Sequence, residues 1–351
     1  MSKIPVSVCI IAKNEEKYIE ECLKRLVPYG MEIVVTDTGS TDRTREIAQK
    51  YADKVLDFAW IEDFSAARNF CAANASNDWI LVLDCDEYVT NIDVSAFIKC
   101  LKSFPKNTGA LRLQNLIFMS SGEKGYSSDD IPRLYNKKYF TFQQPVHEQL
   151  VPADALQEPV ALQCFLIPME AIHYGYALPP EEMRQKQERN LRLLHHQLSE
   201  QGESAYLCFQ IGQSELVLEH YEKAIIYYEK GLAFDEPRNL TYVQTMIEGL
   251  AKAYVCVGRR SDALALMERY ELECDSAKYA YFHANVLMDN NEPLKALIKY
   301  VKVTTLPDAA SYEKINSYRH IIELYHQYGE YELARFFEQK YAECLQERDR
   351  L

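Results

Sequence analysis

The first third of the chain alternates short apolar runs with amphipathic stretches, and this alternation constrains the fold more than any other feature. Apolar, β-branched runs predict strands, and the amphipathic stretches between them predict helices. The predicted strands span residues 6–11, 32–36, 55–58 and 79–83. The predicted helices span residues 16–26, 43–51 and 66–75. Alternating strands and helices are typical of a mostly parallel, doubly wound α/β sheet with helices on both faces.

Polar residues follow three of these predicted strands directly. They are Lys13, Asn14 and Glu15 after the first strand, residues 37–42 after the second, and residues 84–87 after the fourth. Ligands of such sheets bind outside the carboxyl ends of the strands. The sequence therefore predicts a binding site at this edge of the sheet.

From about residue 187 onward the strand patterns end and helical segments rich in Tyr, Ala and Leu follow one another. A short phrase recurs there around four alanines: Ala224, Ala263, Ala296 and Ala334. Their spacings of 39, 33 and 38 positions are close to the roughly 34-residue period of tetratricopeptide helix pairs. Gly212, Gly258 and Gly329 precede the phrases, where a turn between helices is expected. An irregular helical bundle is the alternative.

The composition is consistent with two domains, expected at residues 1–186 and 187–351. The chain has 351 residues, of which 48% are hydrophobic, enough for two cores. A net charge of -13 disfavours a nucleic acid partner. No long apolar span or basic leader is present, so we expect a cytoplasmic protein without a membrane span. The ten cysteines show no CxxC pair and are expected to be reduced thiols.

Asp84 and Asp86 stand one residue apart directly after a predicted buried strand. Two carboxylates in this position can hold a hard divalent cation that bridges a substrate diphosphate. An ordinary solvated acidic turn is the alternative, and the position after a buried strand favours the cation site.

The turn at residues 37–42 and the helix after it offer further candidates. Gly39 permits a tight turn and Asp42 can cap the next helix, whereas neither task requires Asp37. Asp37 could instead accept a hydrogen bond from a nucleobase or ribose hydroxyl. In the third helix, which Asp63 is expected to cap, Arg68 could be solvated or could reach a diphosphate.

Four of these motifs, in this order and spacing, resemble the family-2 glycosyltransferases of the GT-A fold. They are the run at residues 6–16, the turn at 37–42, the triplet Ala67-Arg68-Asn69 and the triplet Asp84-Cys85-Asp86. The resemblance implies a nucleotide-sugar site with Ala12 and Glu15 near the nucleotide, Asp37 at the base, usually uracil, Arg68 at the phosphates, and Asp84 near the ribose or metal. It also implies that Asp86 is a ligand of manganese or magnesium.

Later motifs resemble the subgroup that includes the sublancin-type peptide S-glycosyltransferases. They are Arg133-Leu134-Tyr135, Val146-His147-Glu148, the phrase from His173 to Tyr176, Lys186, and Arg189-Asn190. In that light Glu148 is the candidate general base, which His147 orients or replaces. His173 is expected to complete the metal site, although a hydrogen-bonded structural histidine is the alternative. Lys186 and Arg189 are expected to neutralise the leaving diphosphate or to lie on a solvated helix face.

The resemblance thus implies a metal-dependent, inverting glycosyltransferase that uses a UDP-sugar. The acceptor could be a cysteine, serine or threonine of a peptide, a cell-surface saccharide or a lipid carrier. The helical domain could form a homodimer. A scaffold that binds a nucleotide sugar without turning it over is a second hypothesis. A nucleotidyltransferase would need a glycine-rich, basic loop after the first strand, and residues 13–16 do not form one.

Overall fold

The computed structural model describes residues 4–118, 124–153, 163–175 and 180–348. The chain divides into two compact units, Met1–Met183 and Arg184–Leu351. The boundary that the sequence predicts after residue 186 falls slightly further along the same helix, Pro180–Gln201. Among the described residues, no helix combines the length and the apolar character needed to cross a membrane.

The first unit is built from ten strands and four α-helices within the described residues. In chain order they are β1 (Val6–Ala12), α1 (Ile19–Leu26), β2 (Glu32–Asp37), α2 (Thr44–Tyr51), β3 (Lys54–Asp57), α3 (Phe64–Asn74), β4 (Trp79–Leu83), β5 (Glu87–Ile92), α4 (Val94–Ser103), β6 (Thr108–Phe118), β7 (Lys124–Asn136), β8 (Phe140–Gln143), β9 (Gln149–Pro152) and β10 (Cys164–His173). The four predicted strands and three predicted helices are confirmed. Helix α1 begins at Ile19 rather than Glu16. Glu16 lies in the preceding loop, where its carboxylate accepts a hydrogen bond from the Arg43 backbone N–H at 3.2 Å.

The main sheet is mixed, which corrects the expectation that it is mostly parallel. Its strand order is β3-β2-β1-β4-β7-β6-β10-β5. The pairs formed by β1, β2, β3 and β4 with one another are parallel. Strand β7 lies antiparallel to both β4 and β6, and β5 lies antiparallel to β10. The predicted α/β class and GT-A type of sheet are confirmed. The half formed by β7, β6, β10 and β5 is mixed, since β10 lies parallel to β6, and local sequence patterns did not indicate it.

Helices cover both faces of the sheet, as predicted. On one face, Val8 and Ile10 of β1 pack in a core with Leu23 of α1, Ile47 of α2 and Phe97 of α4. On the other face, a second core joins Cys9 of β1 to α3 and to the β8–β9 hairpin. Since successive strand residues point to opposite faces, β1 supplies side chains to both cores.

The described part of the second unit consists of α-helices joined by turns and short loops. Its helices are α5 (Pro180–Gln201), α6 (Ala205–Val217), α7 (Tyr221–Leu232), α8 (Thr241–Cys256), α9 (Arg260–Tyr270), α10 (Ala277–Asp289), α11 (Pro293–Thr305), α12 (Ser311–Gln327) and α13 (Tyr331–Arg348). The four repeated alanines lie on α7, α9, α11 and α13, and all are fully buried. Small residues at these positions let the paired helices approach closely, and the predicted tetratricopeptide-like repeat domain is confirmed.

Two of the three predicted turn glycines lie in turns. Gly258 and Gly329 follow α8 and α12 with φ angles of 82° and 75°, which glycine adopts without steric cost. Gly212 instead lies inside α6, where a Cβ atom would meet the Tyr228 ring at 2.6 Å. Its prediction as a turn residue was wrong, because the close approach of α6 to α7 requires the glycine. In the turn between α6 and α7, Glu219 takes the left-handed conformation, with a φ angle of 61°.

Candidate active site

The loops after β1 and β2 are joined by hydrogen bonds at the carboxyl end of the sheet. Ala12, the last residue of β1, pairs with Asp37 of β2, and its carbonyl accepts the Thr38 N–H at 2.9 Å. The backbone N–H of Glu15 donates to Thr44 Oγ1 at 2.6 Å. These contacts join the loops that carry Ala12, Glu15 and Asp37 at this edge of the sheet.

Asp37 has a structural role that sequence reasoning did not assign to it. Its carboxylate oxygens accept the backbone N–H of Ser40 at 3.3 and 3.2 Å, and the side chain is buried. Gly39 between them has a φ of 100°, which explains the glycine at this turn. Asp42 was predicted to cap α2, but the N-cap position is taken by Arg43. The Asp42 carboxylate lies one residue earlier and accepts the N–H of Thr44, the first residue of α2, at 2.9 Å.

Arg68 is buried between two carboxylates rather than solvated. Asp63 caps α3 by accepting the Ala66 N–H at 2.9 Å, as predicted. One turn later, Arg68 donates from Nε to Glu148 Oε1 at 2.7 Å and from Nη2 to Asp84 Oδ1 at 2.9 Å. A single guanidinium therefore joins the predicted base to the predicted donor-site carboxylate.

Asp84 has a second arginine partner, Arg133 of β7. Arg133 Nη2 donates to Asp84 Oδ2 at 2.9 Å and also to the fully buried Glu87 carboxylate. Burial alone would raise the pKa of Asp84, but Arg68 and Arg133 outweigh it and hold that pKa well below its usual range. Burial raises the pKa of Glu87 to about 7, against the opposing effect of Arg133.

Both arginines retain a buried N–H group that has no hydrogen-bonding partner among the described residues. These groups are Nη1 of Arg68 and Nε of Arg133. Buried polar groups are nearly always paired, so each exception needs an explanation. Both donors belong to arginines that contact Asp84 at the carboxyl end of the sheet.

Asp86 and His173 form a second pair at this edge. His173, at the end of β10, lies with its Nε2 3.5 Å from Asp86 Oδ2, while its Nδ1 contacts Asn115 Oδ1 at 2.9 Å. The carboxamide oxygen can only accept, so it fixes a proton on Nδ1 and turns Nε2 toward Asp86. Burial opposes protonation, but hydrogen bonding to Asp86 raises the pKa of His173 above its usual value.

The backbone of Gly175 packs closely against this pair. A Cβ atom at Gly175 would lie 2.1 Å from Asp86 Oδ2 and 2.5 Å from His173 Nε2. No cluster of three or more His, Cys, Asp or Glu side chains suited to a metal occurs in the described part of the chain. Two protein ligands nevertheless fit Mg²⁺ or Mn²⁺ in enzymes whose substrate phosphates complete the coordination. Tyr176, the last residue of the expected phrase, lies outside the described residues.

Comparison with known proteins agrees with this geometry. The sequence profile described as "Glycosyl transferase family 2" matches residues 7–141. Residues 7–141 are therefore similar to family 2 glycosyltransferase domains.

Two relatives match this chain over part of their own length. A TPR repeat-containing protein of Synechococcus elongatus is 37% identical over 214 residues, which are 59% of this chain and 51% of that protein. The SPbeta prophage-derived glycosyltransferase SunS of Bacillus subtilis is 26% identical over 239 residues, 66% of this chain and 54% of SunS. The chain thus spans about half the length of these relatives. The crystal structure of S. aureus TarS aligns with 74% of this chain and with 54% of the TarS chain, at 13% sequence identity. Its TM-score of 0.38 is too low to support an inference.

Sequence reasoning missed three polar residues of the candidate site: Glu87, Asn115 and Arg133. Glu87 directly follows the Asp84-Cys85-Asp86 triplet, and Arg133 opens a phrase that the resemblance had singled out without a role. Asn115 lies on β6, and no local pattern distinguishes it. Lys186 and Arg189 lie on α5 in the second unit, so their role at a diphosphate stays a prediction.

Proposed function

We propose that the protein is a metal-dependent glycosyltransferase that moves a sugar from a UDP-sugar to an acceptor with inversion at the anomeric carbon. The observation that supports this most directly is the convergence of Arg68, Asp84, Asp86 and His173 at the carboxyl end of the sheet in a domain similar to family 2 glycosyltransferases. Ligands of α/β sheets bind at that edge.

In this proposal the nucleotide lies over the loops after β1 and β2. Asp37 accepts a hydrogen bond from the uracil, and Ala12 and Glu15 border the nucleotide. Ala12 offers no side chain beyond Cβ, so the ligand can approach the backbone. The unpartnered Nη1 of Arg68 and Nε of Arg133 supply donors for phosphate or ribose oxygens.

Asp86 and His173 would hold the divalent cation, with Asp84 beside them. When bound, the cation would neutralise the negative charge of the diphosphate as it leaves. Asn115 orients His173 from behind by its contact with Nδ1, and metal-bound histidines usually have such a partner.

Glu148 is the proposed general base. The acceptor's nucleophilic atom attacks the anomeric carbon while the bond from that carbon to the diphosphate oxygen breaks, and its electron pair leaves with the diphosphate. The acceptor's proton passes to Glu148. Arg68 occupies Oε1 of Glu148, so Oε2 is the oxygen that would take the proton. His147 is the alternative base.

The proposed acceptor is a cysteine, serine or threonine side chain of a peptide. Helical repeat surfaces commonly bind peptides or form dimers, and the second unit has this architecture, so we propose both roles for it. A saccharide or lipid-linked acceptor would leave the chemistry at Glu148 unchanged. Cytoplasmic localisation stays a prediction.

The test is nucleotide release from a panel of UDP- and GDP-sugars with manganese. We expect release from a UDP-sugar that EDTA abolishes and that falls at least tenfold in Glu148→Gln. Unchanged release in Glu148→Gln would transfer the base role to His147. Absence of release from every donor, with and without candidate peptides, would favour the scaffold hypothesis instead.

A further inference from the structure

The loop that carries His147 and Glu148 has an unfavourable backbone conformation. It spans residues 144–148 between β8 and β9, and two of its residues other than glycine, Gln144 and His147, have φ angles of 80° and 54°. Left-handed conformations cost free energy for such residues and persist only where the surroundings enforce them. The structure around this loop must therefore hold it in place.

The first two turns of α3 provide that support. Ser65 Oγ donates to the Gln144 carbonyl at 2.6 Å, and the Phe64 N–H donates to the Pro145 carbonyl at 2.9 Å. Both contacts fix the beginning of the loop. Arg68, on the same helix, fixes its end through Glu148.

Asn69 forms the most specific of these contacts. Its Nδ2 donates to the Phe142 carbonyl at 2.9 Å, and its Oδ1 accepts the Phe142 N–H at 3.0 Å. Oδ1 also accepts from Thr141 Oγ1 at 3.1 Å. The carboxamide of Asn69 thus pairs with both the N–H and the carbonyl of Phe142, as a neighbouring strand would. A carboxylate of the same shape could accept from the N–H but could not donate to the carbonyl.

The β8–β9 pairing transmits this contact to Glu148. Phe142 lies opposite Leu150, and Gln143 opposite Gln149, which directly follows Glu148. Fixing Phe142 therefore fixes the base of the hairpin from which the loop projects. The distance between Glu148 and the donor-side residue Asp84 is then set by Arg68, which contacts both.

We infer that Asn69 is a positioning residue for Glu148: it locks the β8–β9 hairpin onto α3, so that Glu148 is held at a fixed place beside the donor site. This inference rests on the proposed function for the role of Glu148. Asn69 itself touches backbone and Thr141 rather than any reacting group, so its removal should impair turnover and leave donor binding intact.

The test compares Asn69→Asp and Asn69→Ala with Asn74→Ala in the full chain. Asn74 lies on the same helix, is exposed, and donates to the Phe70 carbonyl at 2.9 Å, so it is a matched control. Hydrogen–deuterium exchange of peptides covering residues 142–150 should become at least tenfold faster in both Asn69 variants. It should change less than twofold in Asn74→Ala. Equal exchange in Asn69→Asp and Asn74→Ala would overturn the inference.

Kinetics separate positioning from a merely structural role. In Asn69→Asp we expect kcat for nucleotide release to fall at least tenfold, while KM for the donor stays within threefold. In a Glu148→Gln background, Asn69→Asp should slow release less than twofold further, because it acts through Glu148. Multiplicative losses, or a KM that rises in step with the loss of kcat, would contradict the inference. Absence of release by the unmodified protein would refute the proposed function, and the exchange result would still decide whether Asn69 holds the loop.

Discussion

The two ends of the parallel strands β1, β2 and β4 both bury charged groups, but they differ in how those groups are satisfied. At the amino end, Glu32 accepts from Ser7 Oγ, from the Ser76 backbone and hydroxyl at 2.7 and 2.6 Å, and from Lys54 at 3.0 Å. At the carboxyl end, Arg68 and Arg133 pair with carboxylates, yet each retains a buried N–H group that finds no partner within the described part of the chain.

This difference separates a structural cluster from a binding site. A fully hydrogen-bonded buried carboxylate stabilises the fold and has nothing left to offer a ligand. A buried donor without a partner costs stability and gains its partner only when a ligand arrives. Substitutions at the amino end should therefore change stability, and substitutions at the carboxyl end should change activity.

The largest expected effect is at Asp86. Asp86→Ala removes one of the two side chains that converge beside Gly175, so we expect nucleotide release to fall on the order of 100- to 1000-fold, with little change in melting temperature. Asp130→Ala is the control, since Asp130 is exposed and pairs with Arg112 away from the site. A variant that kept its release rate, or simply unfolded, would break the distinction between the two ends.

The converse substitution is Glu32→Gln. Its amide nitrogen would face donors where a carboxylate oxygen now accepts, so we expect a loss of about 2 kcal/mol in the free energy of unfolding. Glu46→Gln, at an exposed pair with Lys50, should leave the unfolding midpoint almost unchanged, because exposed ion pairs contribute little to stability. Denaturant titration measures both. If Glu32→Gln instead removed activity from folded protein, the amino end would not be purely structural.

Gly175→Ala should produce a smaller effect at the carboxyl end. Its Cβ would overlap Asp86 Oδ2 and His173 Nε2, so the pair must move apart. We expect metal-dependent release to fall about tenfold, or about 1.4 kcal/mol. The apparent manganese affinity in a titration should weaken together with the rate. Normal manganese dependence would show that the space beside Asp86 and His173 is not a cation site.

The smallest effect is a pH dependence of stability that arises at Glu32. Burial raises its pKa, but hydrogen bonds from Ser7 and Ser76 prevail and lower it to about 2 from an ordinary value of 4.5. A depressed carboxyl pKa stabilises the folded state above pH 4.5, and this contribution is lost as the pH falls toward 2. Between pH 7 and pH 4 the loss should be about 1 kcal/mol. The difference in the free energy of unfolding between the unmodified protein and Glu32→Gln should therefore shrink by about 1 kcal/mol between pH 7 and pH 4. A difference that stays constant over this pH range would contradict the prediction.

The sequence predicted the parallel half of the sheet well and the mixed half, formed by β7, β6, β10 and β5, poorly. Strands β1 to β4 are each marked by an apolar run followed by a turn or a helix cap such as Asp63, and these signals are local. The place of β7 between β4 and β6 depends on pairing between distant segments, for example Leu134 with Leu81. Local patterns contain no information on such pairings.

The same distinction explains which site residues were found. Asp84 and Asp86 directly follow a recognisable strand, so their position at the sheet's edge could be inferred. Arg133 reaches Asp84 only because β7 lies beside β4, and Asn115 reaches His173 only because β6 pairs with β10. The burial of Arg68 between Asp84 and Glu148 likewise required the folded β8–β9 hairpin.

The most direct test of the difference between the two ends is calorimetric titration of UDP into the protein with manganese and with EDTA. We predict binding that requires manganese, that is lost in Asp86→Ala, and that is retained at full strength in folded Glu32→Gln. Binding that is indifferent to EDTA and to Asp86→Ala, or no binding under either condition, would contradict the assignment of the carboxyl end as the nucleotide-sugar site.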